Sequence, residues 1–322
     1  MVVAGRHGPR FDKVGMPVFS QNGRTVAYVA TEKEIWFVMV GDQRGPHFDG
    51  IMSNLTLTPL PGGDVRVTAG SLCFAGDGAA VVYGAKQGQK WRLVVGNDRG
   101  PEVDEIKTPA CSPRGRSIAY GAKKEGRWSV MLDGKPGPAF DDIGFVVFSP
   151  DGARLAYRAQ EGNKYHVVMA SKQGPEFEDI GIPVFSPDGT RLAYKAKREG
   201  KSFVVVDQEL EEAFDGIGGD IVFSPDGRSI AFAATAGEKW FVVARSVKGP
   251  EFDLVSTPVF SPDGSKIAYA ARQGARAFVA IGDQRGPAFD DVWPRGFSDD
   301  GRRLAYAAVQ GRELWWKVLD VK

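Results

Sequence analysis

The chain has 322 residues, of which 43% are hydrophobic and 25% are charged, a composition that is ordinary for a soluble globular protein. Its 41 basic and 40 acidic residues leave a formal net charge of +1, which argues against a general electrostatic attraction to nucleic acid or to an anionic membrane. No stretch approaches the length of a continuous apolar membrane span, so we expect no membrane insertion.

An internal repeat of about 37 residues organises the sequence. The phrase Phe-Ser-Pro-Asp-Gly, or a degraded form of it, recurs at spacings of 55, 37, 37, 37, 38, 37 and 37 residues. The eight copies begin at Phe19, Phe74, Cys111, Phe148, Phe185, Phe223, Phe260 and Phe297. A fixed period of this length is the signature of propeller and solenoid architectures.

Each repeat predicts four short strands. Strand a ends in the repeated phrase, whose Ser-Pro-Asp-Gly part suits a tight turn because Pro fits the second position of a type I turn and Gly accepts a positive φ. Strand b is the segment of the Arg-Leu-Ala-Tyr type, and strand c is a β-branched run such as residues 203–206. A Gly-Pro turn then leads to strand d, for example residues 289–292. Apolar residues do not recur at helical spacing, so no substantial helix is expected.

The two ends of the chain complement each other. The last repeat stops after strand c, residues 315–320, and the chain begins with an isolated strand d, residues 8–14. A propeller removes its last exposed edge when both ends contribute to one blade. We therefore predict an all-β fold, an eight-bladed β-propeller of four-stranded antiparallel blades that is closed by the N-terminal strand d. Residues 1–322 form one domain in this prediction, with an insertion at about 52–70.

The pattern Ser-Pro-Asp-Gly-x-x-[Leu/Ile]-Ala-Tyr resembles the repeats of TolB-type, WD-repeat-like propellers. The resemblance covers almost the whole chain and is specific for the fold. Members of that family include periplasmic partner-binding proteins and the gating propellers of serine peptidases. The sequence shows neither the extra N-terminal domain of the former nor the hydrolase domain of the latter, and it has no Gly-x-Ser-x-Gly nucleophile motif.

An acidic residue recurs in every predicted strand d. The set is Asp12, Asp49, Asp104, Asp141, Glu178, Asp215, Asp253 and Asp290. A ring of acids suggests cation binding, but a residue that every repeat carries is better explained as a turn or strand-end device that accepts backbone N–H bonds. The Asp of each Ser-Pro-Asp-Gly turn has the same interpretation.

Histidine and cysteine are scarce. No His or Cys spacing matches a metal site, so we expect no metal and no cofactor. His166 stands where sister repeats have Phe in strand c, and we expect it to be packed. Cys73 and Cys111 are too few for a disulfide framework and are expected to be buried free thiols, with a bridge or a reactive pair as the alternative.

The connections between strand d and the next strand a differ from repeat to repeat. In a propeller they surround the mouth of the central channel. The last connection has Trp293 and Arg295, which suit a binding hot spot, where sister repeats place Gly, Ile, Ser or Thr. Other connections add an acid, a base and apolar side chains: Asp220, Lys107, Phe145 and Met16. The alternative is that these side chains only pack against neighbouring connections or plug the channel.

One connection is much longer than the others. It spans residues 52–70 and contributes Asp64 and Arg66 as candidate binding residues. Loops on a rigid scaffold commonly hold function. The segment is either a lid over the channel mouth or a β-hairpin with strands near residues 55–58 and 65–68, and we favour the hairpin. A neutral surface elaboration remains open.

Aromatic residues also recur in strand c, and their repetition predicts packing between blades. They are Trp36, Trp91, Trp128, Tyr165, Trp240 and Trp315.

Two function classes follow. The first is a non-enzymatic, monomeric scaffold that binds a protein or peptide through the variable connections and residues 52–70. The alternative is a lyase or hydrolase with a small-molecule site at the channel mouth, using Asp220, Lys107 and Arg295. An idealised propeller without natural function is a third possibility, against which the irregular repeats at Phe74 and Cys111 argue.

The N-terminal residues lack the charged start and apolar core of a signal peptide. A cytoplasmic location is therefore expected, with a periplasmic or secreted one as the alternative if a signal peptide has been removed.

Overall fold

The structure is a computed structural model that describes residues 2–3, 6–52, 55–59, 65–69, 72–76, 78, 80–114 and 116–321. The chain divides into two compact units, residues 1–58 with 65–174 and residues 59–64 with 175–322. All regular structure in the described ranges is antiparallel β, with four successive sheets in each unit besides two small hairpins. The all-β prediction is therefore confirmed.

No helix in the described ranges is long and apolar enough to cross a membrane.

We number the sheets 1–8 in chain order and give their strands from first to fourth. Sheet 1 is Lys13–Val14 with Val18–Phe19, Val26–Glu32, Ile35–Val40 and Gln43–Arg44. Sheet 2 is Gly50–Ile51 with Leu72–Ala75, Ala80–Gln87, Lys90–Val95 and Asp98–Arg99. Sheet 3 is Glu105–Ile106 with Ala110–Cys111, Ile118–Lys124, Arg127–Leu132 and Lys135–Phe140. Sheet 4 is Asp142–Phe148, Leu155–Glu161, Lys164–Met169 and Lys172–Gln173.

The second unit repeats this order. Sheet 5 is Asp179–Ile180 with Val184–Phe185, Leu192–Arg198, Lys201–Val206 and Glu209–Leu210. Sheet 6 is Gly216–Phe223, Ile230–Ala236, Lys239–Ala244 and Val247–Lys248. Sheet 7 is Leu254–Val255 with Val259–Phe260, Ile267–Gln273, Arg276–Ile281 and Gln284–Arg285. Sheet 8 is Asp291–Phe297, Arg303–Gln310 and Glu313–Asp320.

The predicted strand d is wrong in its position. Phe289 forms a bridge with Ala277 in the third strand of sheet 7, whereas the next residue, Asp290, donates its backbone N–H to the carbonyl of Val309 in sheet 8, at 2.9 Å. The segment therefore begins in one sheet and ends in the next. The residues after Asp290 form the start of a long first strand, and the fourth strand lies several residues earlier, at Gln284–Arg285.

Within each unit, successive sheets pack face to face because the strands carry apolar residues on both sides. Val279 of sheet 7 and Tyr306 of sheet 8 are buried in the same cluster. The predicted packing of the strand c aromatics is confirmed for four of them, which pack in or against clusters between sheets: Trp36, Trp91, Trp128 and Trp240.

The last sheet has three strands within the described residues, and its third strand pairs only with the second. Leu314, Trp316 and Val318 share one face of this strand and are 63%, 67% and 64% exposed. Trp316 is in register with Ala307, as Val279 is with Ala270 in sheet 7, where the valine is fully buried. The predicted equivalence of Trp315 with the other aromatics is wrong by one residue, since Leu314 holds their register.

Two hairpins stand outside the sheets. Val2–Val3 pairs with Arg6–His7. Leu55–Pro59 pairs with Val65–Ala69, so the favoured hairpin form of the insertion is confirmed.

The two cysteines form a disulfide, with Cα atoms 6.0 Å apart, so the free-thiol prediction is wrong. Cys73 and Cys111 lie in the first strands of sheets 2 and 3, one position apart in the repeat, since Cys111 corresponds to Phe74. Those strands are neighbours, so the two side chains come together although the residues are not equivalent.

Candidate binding surface

The variable residues of the sequence interrupt the first strand of a sheet: they lie inside it in sheets 4, 6 and 8, and between its two short segments in sheets 1, 3, 5 and 7. In sheet 6 the pairing shifts between Gly218 and Val222, and in sheet 8 it shifts between Pro294 and Gly296. Such irregularities are β-bulges, which re-aim side chains and recur beside functional sites. We call the residues at these interruptions, taken for each unit by itself, the first-strand bulge surface. Its described members among the predicted site residues are Met16, Lys107, Phe145, Asp220, Trp293 and Arg295.

Trp293 and Arg295 belong to sheet 8, together with Trp316. Trp293 pairs with Ala307, which pairs in turn with Trp316, so the two indoles flank one alanine on the same face. The Arg295 guanidinium lies 5.6 Å from the centre of the Trp316 ring, a cation–π distance. Trp293 is half-buried and Arg295 is exposed. Trp316 was not selected from the sequence. Pairing residues outward from the two-residue turn at Gly311 and Arg312 would have assigned its register.

Asp220 lies in the bulge of sheet 6. Its backbone N–H donates to Oγ1 of Thr257 in sheet 7, at 3.4 Å, and its side chain is exposed. The neighbouring carbonyl of Gly219 accepts a hydrogen bond from Nζ of Lys195, at 2.7 Å. The bulge is thus fixed by contacts on both sides, while its carboxylate stays on the surface.

The Lys107 ammonium is occupied by contacts within the protein. Its Nζ donates to Oδ1 of Asp142 and to the carbonyl of Ile143, both at 2.5 Å. The ammonium also lies 4.6 Å from the centre of the Trp128 ring. These contacts tie sheet 3 to sheet 4, so Lys107 has a structural role.

Apolar side chains are exposed at several bulge positions. Met16 is 49% exposed, Phe145 41% and Ile182 50%. Phe145 has a positive φ of 51°, and the Arg158 guanidinium lies 4.7 Å from its ring centre. Ile143 and Ile180, two positions before Phe145 and Ile182, are 2% and 1% exposed, whereas Val14 before Met16 is itself exposed. The bulge therefore turns an apolar side chain out of the core.

The side chains of two predicted site residues are not described. Asp64 lies outside the described residues, and only the backbone of Arg66 is described, in the strand Val65–Ala69.

The repeated acids act as predicted, as acceptors of backbone N–H bonds. Asp253 Oδ2 accepts the N–H of Gly274, at 2.6 Å, in the turn between the second and third strands of sheet 7. The other seven acids make the equivalent bond, at 2.6–3.1 Å. The Lys239 ammonium beside Asp253 lies at 2.6 Å and is the largest cause of a lowered pKa for that carboxyl.

The aspartates of the Ser-Pro-Asp-Gly turns are also confirmed as turn residues. Asp188 Oδ1 accepts the Ser186 hydroxyl at 2.5 Å and the Thr190 N–H at 3.0 Å. These bonds, the Ser186 hydroxyl first, lower the Asp188 pKa to about 2. Gly189 follows with a φ of 70°, as the turn prediction requires.

Histidine has no metal-binding arrangement in the described part of the chain. His166 is 4% exposed, and its ring centre lies 5.3 Å from that of Phe140, which confirms the packed role. No group of three His, Cys, Asp or Glu residues in that part could hold a metal ion.

No protein-family model matches this sequence, and no curated protein matches it. Similar solved structures include TolB from Acinetobacter baumannii, at 18% identity over 94% of this chain and 82% of that chain, with a TM-score of 0.35. The Dos1 propeller is 13% identical over 93% and 91%, with a TM-score of 0.41. A putative dipeptidyl aminopeptidase IV from Bacteroides ovatus is 10% identical over 92% and 51%, with a TM-score of 0.45. These likenesses are distant, and no functional argument rests on them.

Proposed function

We propose that this chain is a non-enzymatic β-propeller scaffold that binds a protein or peptide through the first-strand bulge surface. The observation that carries the proposal is the exposure of Phe145 and Ile182 at bulges where the residue two positions earlier, Ile143 or Ile180, is buried. Large apolar side chains on a rigid frame supply binding energy at low conformational cost. Exposed Arg295 and Asp220 add charges of both signs to this surface.

The proposal includes eight blades and closure by the N-terminal segment. Phe11 already packs on Phe37 of sheet 1 at 5.3 Å, as Phe252 packs on Phe278 in sheet 7 at 5.7 Å. Residues 8–11 have the same Gly-Pro-x-Phe form as the segments that follow the fourth strands of other sheets, such as residues 286–289. Residues 6–11 would supply the missing fourth strand of sheet 8.

Closure is tested by removing residues 1–10. The shortened chain should unfold at lower urea concentration and should show a more solvent-quenched tryptophan signal, because the third strand of sheet 8 loses its partner. Unchanged stability would contradict closure without touching the binding proposal.

Binding is tested with a displayed library of random peptides selected on the wild-type protein. Selected peptides should bind the Phe145→Ser and Ile182→Ser double variant at least about tenfold more weakly, since hot-spot truncations cost this much. A second variant, Trp293→Ala with Arg295→Ala, tests the sheet 8 part of the surface. The matched control is Arg24→Ala, an exposed residue in a turn between first and second strands. Equal binding to all variants would overturn the proposal.

No specific observation supports the lyase or hydrolase alternative. Of its three residues, Lys107 is held by two hydrogen bonds, and Asp220 and Arg295 belong to different sheets.

The disulfide bears on the location of the protein. Such bonds persist in oxidising compartments and are rare in the cytosol. We therefore place the protein, as a proposal, in the periplasm or outside the cell, and mass spectrometry of protein from each compartment would show whether Cys73 and Cys111 are joined.

A further inference from the structure

The groove between sheets 6 and 7 differs from its counterparts. It encloses a cavity of about 860 Å³, whereas the equivalent groove between sheets 3 and 4 encloses about 290 Å³. Both grooves are lined by the end of a third strand, the turn to the fourth strand, and the start of the next sheet's second strand. A cavity of several hundred Å³ is the size of a small-molecule site.

Two substitutions within the repeat change the size and the polarity of this groove. Ala244 and Val247 face each other across the turn between the third and fourth strands of sheet 6. The residues that hold the position of Ala244 in the other four-stranded sheets are all larger: Val40, Val95, Leu132, Met169, Val206 and Ile281. The smaller side chain of Ala244 leaves the floor of the groove unfilled.

Val247 differs from the residues at its position in the other repeats by being apolar. The residues at its position in the other four-stranded sheets are all polar: Gln43, Asp98, Lys135, Lys172, Glu209 and Gln284. Val247 is 67% exposed and lines the rim of the cavity. An exposed valine at a position that is otherwise polar makes the entrance apolar as well as the floor.

Polar groups lie at defined points of this apolar cavity. Tyr269 is 5% exposed, and it lines the cavity. Arg285 also lines the cavity, and its guanidinium is held 5.0 Å from the centre of the Phe278 ring. Lys266 is a second cation in the lining, and Asp283 is the acid.

We propose that this cavity binds a small amphipathic carboxylate, with its apolar body against Ala244 and Val247 and its carboxylate beside Arg285 and the Tyr269 hydroxyl. A tyrosine hydroxyl in the lining can donate a hydrogen bond to such a ligand. A guanidinium recognises a carboxylate through paired N–H donors. The site is separate from the first-strand bulge surface, so either proposal can fail without the other.

The probe is octanoate, with octanol as its neutral analogue, measured by isothermal titration calorimetry on the full chain. Octanoate should saturate one site and bind more tightly than octanol. Ala244→Leu, which restores the residue of the narrow groove, should weaken octanoate at least about tenfold by filling the cavity. Ala244→Val, the residue of three sister sheets, serves the same purpose if the leucine variant does not fold.

Two further variants distinguish recognition of the carboxylate from the fit of the apolar chain. Arg285→Gln should weaken octanoate by about tenfold and leave octanol nearly unchanged. Tyr269→Phe should weaken octanoate by a smaller factor, and Tyr157→Phe, the same position in the narrow groove, should have no effect. Absence of saturable octanoate binding, or undiminished binding by the folded Ala244 variants, would overturn the proposal.

Discussion

Tyr194 allows a test of the packing between sheets. It is 1% exposed, and its hydroxyl is buried without a hydrogen-bond partner among the described residues. A buried polar group without a partner costs about 1–3 kcal/mol. Tyr194→Phe should therefore raise the free energy of unfolding at pH 7 by ~1 kcal/mol, because the lost hydroxyl leaves only a small void. The chain supplies its own precedent, since Phe232 holds the same register in sheet 6 and is 2% exposed.

The same tyrosine predicts a pH dependence. Burial raises the Tyr194 pKa from 10.0 to about 12. The pKa of Tyr194 is higher in the folded than in the unfolded protein. Its contribution to the free energy of unfolding is therefore constant below pH 10, and stability is lost as the pH rises towards 12. At pH 11 the wild type should have lost at most ~1.4 kcal/mol that the Phe variant retains.

Urea unfolding followed by tryptophan fluorescence at pH 7 and pH 11 measures both effects. Phe232→Tyr is the matched control, and it should destabilise the protein by about 1–3 kcal/mol at pH 7 because it adds an unpaired hydroxyl. Destabilisation by Tyr194→Phe at pH 7 would mean that the hydroxyl is satisfied. An equal loss between pH 7 and pH 11 in both proteins would refute the burial argument.

Three other predictions concern the disulfide and the aspartates. Reduction of the Cys73–Cys111 disulfide, whose cysteines are 38 residues apart, should lower the free energy of unfolding by up to ~4 kcal/mol. Urea unfolding curves with and without dithiothreitol measure this loss. Superimposable curves, from protein in which two thiols can be titrated after reduction, would contradict it. The Asp188 pKa of about 2 lies below its unfolded value, so its stabilisation is present above pH ~4 and is lost towards pH 2. Asp188→Asn should show a smaller fluorescence change over that range than the wild type, and an equal change would count against the turn bonds. Asp253→Ala should accelerate amide exchange of Gly274 by about tenfold or more, and unchanged exchange would show that the carboxylate does not hold that turn.

The sequence predicted the period, the all-β class and the turn chemistry because these are local properties. Pro and Gly at fixed offsets determine the turns, and apolar residues at adjacent positions determine the strands. It failed at residues 289–292 because Phe289 and Asp290 are consecutive in the chain but bond to different sheets, which no local pattern records. The cavity at Ala244 was detectable as a departure from the repeat, but its size depends on the side chains that face it.

The predicted binding residues fared unevenly for a related reason. The variability of Trp293 and Arg295 was visible in the sequence, and so was the contrast with sister repeats. The partners of Lys107 lie 35 and 36 residues further along the chain, at Asp142 and Ile143, and only the packing of two sheets brings them within hydrogen-bond distance. Charge at a variable position therefore did not distinguish a structural lysine from a ligand-binding one.

The chain passes from one sheet to the next between Phe289 and Asp290, and this passage affects how the number of repeats can change. One period of the sequence begins in one sheet and ends in the next, so a single repeat does not correspond to a foldable piece. Deleting one whole period, for example residues 186–223, would rejoin a first strand to an equivalent second strand in the same register. Gene duplication and loss can therefore change the number of sheets by one at a time without leaving an incomplete sheet at the junction.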